Sequence, residues 1–212
     1  MARGIFISLE GGDGAGKSTQ MNNIEKYFSE RGYSCVRTRE PGGTSIGEKL
    51  REIVLDKDNP EMEPVTEMMI YAAAIAHQVR EFIRPAISEG KVVICDRFVD
   101  SSIAYQQYGR ELGMQVTEVN NMAIDGLLPD ITFWMDINPE AGRERIGMRE
   151  DSELDRLESE KLDFHQRVYE GYKLLCQQNA DRIKRIDATK SIEEMKDEIY
   201  GYLDELCARI HS

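Results

Sequence analysis

The 212-residue chain has no apolar run near the roughly 18 to 20 residues that a membrane-crossing helix needs, so no membrane partner is expected. Met1-Ala2-Arg3-Gly4 leads directly into a strand-like segment and shows no signal-peptide pattern, which makes cytoplasmic residence the expectation. The four cysteines (Cys35, Cys95, Cys176, Cys207) form no Cys-x-x-Cys pair, and the three histidines (His77, His165, His211) lack metal-ligand spacing. Basic charge is also short: 27 basic against 39 acidic side chains give a net charge of −12, which argues against a nucleic-acid partner. A small phosphorylated substrate remains compatible, because a few arginines can be focused into one pocket. Hydrophobic residues at 41% and charged residues at 31% are ordinary for a soluble globular protein, and the length suits one substantial domain.

Strand and helix patterns alternate along the whole chain. Apolar strands are expected over 4–9, 33–38, 91–95, 131–137 and 182–186. Helices are expected over 17–31, 46–56, 65–89, 100–108, 116–127, 139–147, 154–178 and 191–209, with Pro85 kinking the end of the third. Five strands separated by helices predict an α/β domain with a mostly parallel sheet and right-handed crossovers. The charge-dense stretch 140–160, with Arg143, Arg145, Arg149 and Arg156 among acids, is the expected mobile part.

Gly11, Gly12, Asp13, Gly14, Ala15, Gly16, Lys17 and Ser18 satisfy G-x-x-x-x-G-K-[ST] between a predicted strand and a predicted helix. Glycines allow successive backbone N–H groups to turn inward, and the following helix adds its positive end. Gly11 through Thr19 are therefore the candidate ATP-binding residues. Lys17 is expected to reach the β- and γ-phosphates and Ser18 to hold Mg²⁺. The loop predicts nucleotide binding but not the fate of the phosphoryl group. Asp13 is an unexplained negative charge within it.

Three further stretches narrow the reaction. Arg39-Glu40-Pro41-Gly42-Gly43-Thr44 follows the second strand, and Asp96-Arg97-Phe98-Val99-Asp100-Ser101-Ser102-Ile103-Ala104-Tyr105-Gln106 follows the third. Leu154-Asp155-Arg156-Leu157-Glu158 leads into Phe164-His165-Gln166-Arg167-Val168-Tyr169. Arg39 and Arg97 sit at C-terminal strand ends, where open α/β sheets bind ligands, and their planar forks suit phosphate oxygens. Asp96 ends an apolar strand, where P-loop proteins place a carboxylate near Mg²⁺, either as a direct ligand or through water.

With the phosphate loop, these stretches resemble bacterial thymidylate kinase over nearly the whole chain and in matching order. The resemblance implies a P-loop NTPase-type three-layer α/β fold: a five-stranded parallel sheet flanked by helices, with a small lid at about 140–160. It implies transfer of the ATP γ-phosphoryl to dTMP, giving dTDP for dTTP synthesis, with Mg²⁺, in a homodimer. The residues matching the family's acceptor site are Arg39, Tyr71, Arg97, Ser102, Tyr105 and Gln106. Tyr71 stacks on the base, Tyr105 lies against the sugar, and Ser102 and Gln106 fall near base and sugar. Asp13 faces the acceptor near its 3′-hydroxyl, and the loop Asp187-Ala188-Thr189-Lys190 covers the donor adenine. No arginine lies between Gly11 and Lys17, so the sequence resembles the type that supplies this charge from the lid. Arg145 and Arg149 are the favoured lid catalysts beside Lys17, Arg97 and Asp13.

The sequence departs from the family at Ile75, where an arginine normally hydrogen-bonds the base edge. Either another donor, such as Gln78, Arg80 or Gln106, replaces the contact, or base selection is looser. A nucleoside monophosphate kinase with another base preference and a regulatory P-loop NTPase are the alternatives. The regulatory reading leaves the Arg39–Arg97 pair and Tyr71 without a use.

Overall fold

Five apolar segments form one fully parallel sheet in the computed structural model, which describes residues 3–147 and 155–210. The strands are β1 (Ile5–Glu10), β2 (Cys35–Arg39), β3 (Val92–Asp96), β4 (Ile131–Asp136) and β5 (Ile183–Asp187), in the order β2-β3-β1-β4-β5. Every residue of β1 and β4 is buried, as strands covered on both faces require. Side-chain alternation in β1 then decides what each face receives. Ile5, Ile7 and Leu9 pack with α1 (Lys17–Ser29) and α9 (Ile192–Ile210), through residues such as Ile24, Phe28, Ile199 and Leu203. Phe6 points to the other face, against α3 (Pro64–Gln78) and α6 (Gln115–Ile124). A third apolar cluster joins Trp134 of β4 to Phe164, Val168, Tyr172 and Leu175 of α8 (Leu162–Gln178). Burial of each large side chain contributes about 1.5–3 kcal/mol, so these two layers of helices hold the sheet from both sides.

The remaining elements follow the expected order with local differences. α2 (Ser45–Leu55) is capped by Thr44, whose hydroxyl accepts from Gly47 N–H at 2.9 Å. The helix expected over 65–89 is divided into α3, a π-helical turn (Val79–Ile83) and α4 (Arg84–Ser88). Pro85 has no N–H to donate and its ring crowds the Glu81 carbonyl, so the register loosens one turn before the proline rather than at the helix end. The helix expected over 100–108 is a four-residue α5 (Val99–Ser102) continued by a π-helical segment (Ile103–Gly109). Gly109 lies where a Cβ would meet Phe164 and Val168 at 2.8 Å, so this segment packs directly on α8. α6 stops at Asp125, which is left-handed with φ 51°. α7 (Pro139–Gly147) matches expectation.

The helix expected from 154 starts only at Leu162 in the described residues. Asp155 and Glu158 form a reciprocal cap: the Asp155 carboxylate accepts from Leu157 N–H and Glu158 N–H at 2.8 Å, while Asp155 N–H donates to Glu158. The capped turn runs only over 156–159 and is separate from α8.

Candidate active site

All five strands end in a charged residue at one edge of the sheet: Glu10, Arg39, Asp96, Asp136 and Asp187. β1 is flanked there by β3 and β4. The loop after β1 is the predicted phosphate loop, and two of its glycines are sterically required. Gly11 has φ 126° and Gly14 has φ 78°, and a Cβ at either would lie 2.5 Å from a carbonyl oxygen, of Met135 or Gly142 respectively. The second contact fits the loop tightly against α7. Ser18 and Thr19 are exposed at the start of α1.

Lys17, Asp13 and Arg97 form one charged cluster across this loop. Lys17 Nζ donates to Gly11 O at 3.2 Å and Gly12 O at 3.1 Å, and lies 3.7 Å from Asp13 Oδ1. Arg97 donates to the same Asp13 oxygen and to Gly11 O, both at 2.7 Å. Burial alone would raise the Asp13 carboxyl, but Arg97 and Lys17 hold it well below the usual carboxylate range. Lys17 is shifted down, first by burial and then by Arg97, with Asp13, Asp96 and Glu10 opposing. Asp13 therefore keeps two cations close together in a site built for anions.

A cavity of about 220 Å³ opens beside this cluster. It brings together the predicted acceptor residues Arg39, Tyr71, Arg97, Ser102, Tyr105 and Gln106, with Asp13, Lys17 and Asp96. Arg39 is exposed and held by Glu48 at 2.7 Å. Tyr71 and Tyr105 are buried, and the Arg97 guanidinium sits 5.2 Å from the Tyr105 ring centroid. Burial pushes both phenols above their ordinary range. Asp96 Oδ1 is buried without a partner among the described residues, and Ser102 accepts from Asn120 at 2.9 Å.

Ile75 is fully buried and lines the same cavity. All three expected substitute donors are committed elsewhere. The Gln78 amide donates to Thr38, Arg39 O and Gly42 O at 2.7–3.2 Å. Arg80 donates to Ala76 O and Ala123 O. Gln106 Nε2 donates to Glu67 at 3.0 Å, and its Oε1, an acceptor, is buried without a partner among the described residues. Since a carboxylate accepts only from the –NH₂ end, Glu67 fixes which way this amide faces.

Of the arginines expected in a lid, Arg145 Nη1 approaches Gly14 O at 3.5 Å, and Arg143 donates to Glu160 O. Arg149 lies outside the described residues. Asp187 binds the N–H and hydroxyl of Thr189 in the loop after β5.

Several site residues were not among the sequence candidates. Glu67, with no exposed surface, accepts from Gln106, from Arg110 at 2.9 and 3.1 Å, and from Arg156 at 2.6 Å. The only local signal was an acid in the first turn of a predicted helix, which has many ordinary explanations. Arg51 lines the cavity and donates to Pro41 O at 2.9 Å. Glu40 is buried with neither carboxylate oxygen paired among the described residues, and burial raises it well above the usual range. Its neighbour Arg39 carried the prediction at that strand end. A second cavity of about 680 Å³, between α7 and α8, shares Asp13, Tyr105 and Glu158 with the first.

Comparison with known proteins agrees with this geometry. The sequence profile of the family described as thymidylate kinase matches residues 9–199. The thymidylate kinase of Clostridium novyi (strain NT) is 47% identical over 204 residues, covering 96% of this chain and 100% of that protein. That of Exiguobacterium sp. (strain ATCC BAA-1283 / AT1b) is 48% identical, covering 95% of each. The crystal structure of thymidylate kinase from Ehrlichia chaffeensis superposes with a TM-score of 0.77 at 30% identity, covering 95% of this chain and 99% of that one. Matched over nearly its whole length by the family profile and by relatives of this identity, the chain belongs to the thymidylate kinase family.

Proposed function

We infer that this chain transfers the γ-phosphoryl of ATP to the 5′-phosphate of dTMP, giving ADP and dTDP for dTTP synthesis. The observation that carries the reading is the Arg97 bridge: one guanidinium contacts the phosphate loop at Gly11 O and Asp13 and also lines the adjoining cavity. A regulatory NTPase has no use for that cavity. In the transfer, an acceptor phosphate oxygen forms the new bond to the γ-phosphorus as the bond to the ADP oxygen breaks. The acceptor is already anionic near neutral pH, so alignment and charge compensation by Lys17, Arg97 and Arg39 are what the protein supplies. Residues 140–160 act as the lid, with Arg145 and Arg149 adding charge over the transferring group.

The Ser18 hydroxyl and the unpaired Asp96 carboxylate are a suitable oxygen donor set for Mg²⁺. When bound, the ion neutralises phosphate charge. Tyr71 stacks on the base and Tyr105 bounds the sugar. With Ile75 unable to hydrogen-bond, Gln106 Oε1, a buried acceptor lining the cavity beside it, reads the base edge. An acceptor there favours a base with an N3–H, thymine or uracil, over cytosine, whose N3 is itself an acceptor. This reading replaces broadly loosened selection with a defined preference.

The homodimer reading is supported by exposed apolar side chains on three adjoining helices: Ile46 and Ile53 on α2, Val65 and Met69 on α3, and Met122 on α6. The free thiols of Cys35, Cys95 and Cys176 suit the cytoplasm. The test of the function is ADP release with and without dTMP. Release that requires dTMP supports the kinase; equal release without any monophosphate overturns it.

A further inference from the structure

Arg97 is held in an unusual backbone conformation. Its φ of 66° is left-handed, which costs a side-chain-bearing residue on the order of 1 kcal/mol or more. The conformation directs its side chain back across the phosphate loop, so whatever holds this turn also places the guanidinium. Arg97 N–H donates to Leu9 O at 2.9 Å. Phe98 N–H donates to Glu10 Oε1 at 2.8 Å, and Ser101 Oγ donates to Glu10 Oε2 at 2.5 Å. Tyr172 of α8 reaches that second oxygen at 3.2 Å and also meets Ser101 Oγ at 2.7 Å. The Phe98 ring is fully buried and packs edge-on against Phe6 at 5.0 Å.

Glu10 is fully buried and lines neither cavity, so it is not placed to contact a ligand there. Its position in β1 directs it to the same face as Phe6 and Ser8, away from the loop's inward N–H groups. Burial, then the nearby Asp100 charge, raise its carboxyl, and the hydrogen bonds from Ser101 and Phe98 oppose that rise. A buried carboxyl with no ligand to bind, and with donors drawn from the turn after Arg97, needs a role other than catalysis.

We propose that Glu10 is a positioning residue for phosphoryl transfer: it clamps the Phe98–Ser101 turn so that Arg97 is presented at the junction of the phosphate loop and the acceptor cavity. The proposal rests on the dTMP kinase reading. A misplacement of about 1 Å in a charge-stabilising group is enough to lower kcat about 100-fold. Glu10→Ala should lower kcat by about tenfold to 100-fold, with a smaller change in the KM for ATP. Glu10→Gln should restore most of the rate, because its carbonyl oxygen still accepts from Phe98 N–H while the two hydroxyls turn to accept from the amide.

The deciding measurement is a double-mutant cycle on kcat with Glu10→Ala, Arg97→Ala and the combination, alongside thermal unfolding of each variant. If Glu10 acts through Arg97, the double variant is no slower than Arg97→Ala alone. Fully additive losses would show that Glu10 acts independently of Arg97 and would overturn the proposal, as would an unchanged kcat in folded Glu10→Ala. Should Glu10→Ala fail to fold, Glu10→Asp, one methylene too short to span the turn, takes its place in the cycle with the same expectations. Wild-type protein inactive on dTMP would instead count against the kinase reading.

Discussion

The phosphate loop holds its shape with backbone, whereas the base end of the acceptor cavity holds its shape with side chains. In the loop, Gly11 and Gly14 adopt positive φ and approach the carbonyls of Met135 and Gly142 too closely for any Cβ. Around the base end, Ile75 is silent, and the Gln106 amide is aimed by Glu67, which is itself fixed by Arg110 and Arg156. Backbone constraints leave a fixed spacing in the sequence. A side-chain network leaves none, because its members come from α3, the π-helical segment and its end, and the turn at 156–159.

The comparison is broken most forcefully at the charges both regions share. Lys17→Ala and Arg97→Ala should each lower kcat by about three powers of ten, since each removes a cation from the developing transition-state charge. Steady-state rates at saturating ATP and dTMP check this. Asp13→Ala should have a smaller effect with a distinct pattern. It removes the carboxylate that keeps Lys17 and Arg97 together, so transfer and dTMP binding should weaken about tenfold more than ATP binding. Equal losses in ATP and dTMP affinity, measured by calorimetry, would refute that assignment.

The same contrast explains what was legible in the sequence. The five strands and the phosphate loop followed from apolar runs and glycine spacing, because these depend on local backbone rules; the strand order and the Lys17–Asp13–Arg97 cluster did not, since they form only once β1 and β3 lie side by side. The start of α8 at Leu162 rather than 154 was missed as well, because residues 156–159 form a separate capped turn. The π-helical turns were also missed, since apolar periodicity does not distinguish them from α-helix. Glu10 stood in the phosphate-loop run, yet its partners at Phe98, Ser101 and Tyr172 become visible only once β1 and β3 pair and α8 packs beside them.

Smaller effects sharpen the base end. Gln106→Ala should reduce the preference for dTMP over dCMP by about tenfold to 100-fold in kcat/KM, and leave dTMP over dUMP nearly unchanged, because both of those bases carry N3–H. Unaltered dTMP-over-dCMP selectivity in this variant would remove Gln106 from base reading. The last expected effect is on stability rather than on rate or selectivity. The Glu10 carboxyl is raised in the folded protein to about 8, so the folded state binds the extra proton between the unfolded and folded values. Its contribution is present below the unfolded value and is lost as pH rises through the folded one. The urea midpoint of the wild type should therefore fall relative to Glu10→Gln as pH rises from about 5 to about 9. Parallel curves would contradict the raised carboxyl.

The most direct measurement follows the transferred group itself. ATP labelled in its γ-phosphoryl is incubated with the protein, Mg²⁺ and either dTMP or no acceptor, and the labelled products are separated. The account predicts label in dTDP, with little free phosphate in either reaction. Label appearing as inorganic phosphate at the same rate with and without dTMP would contradict it.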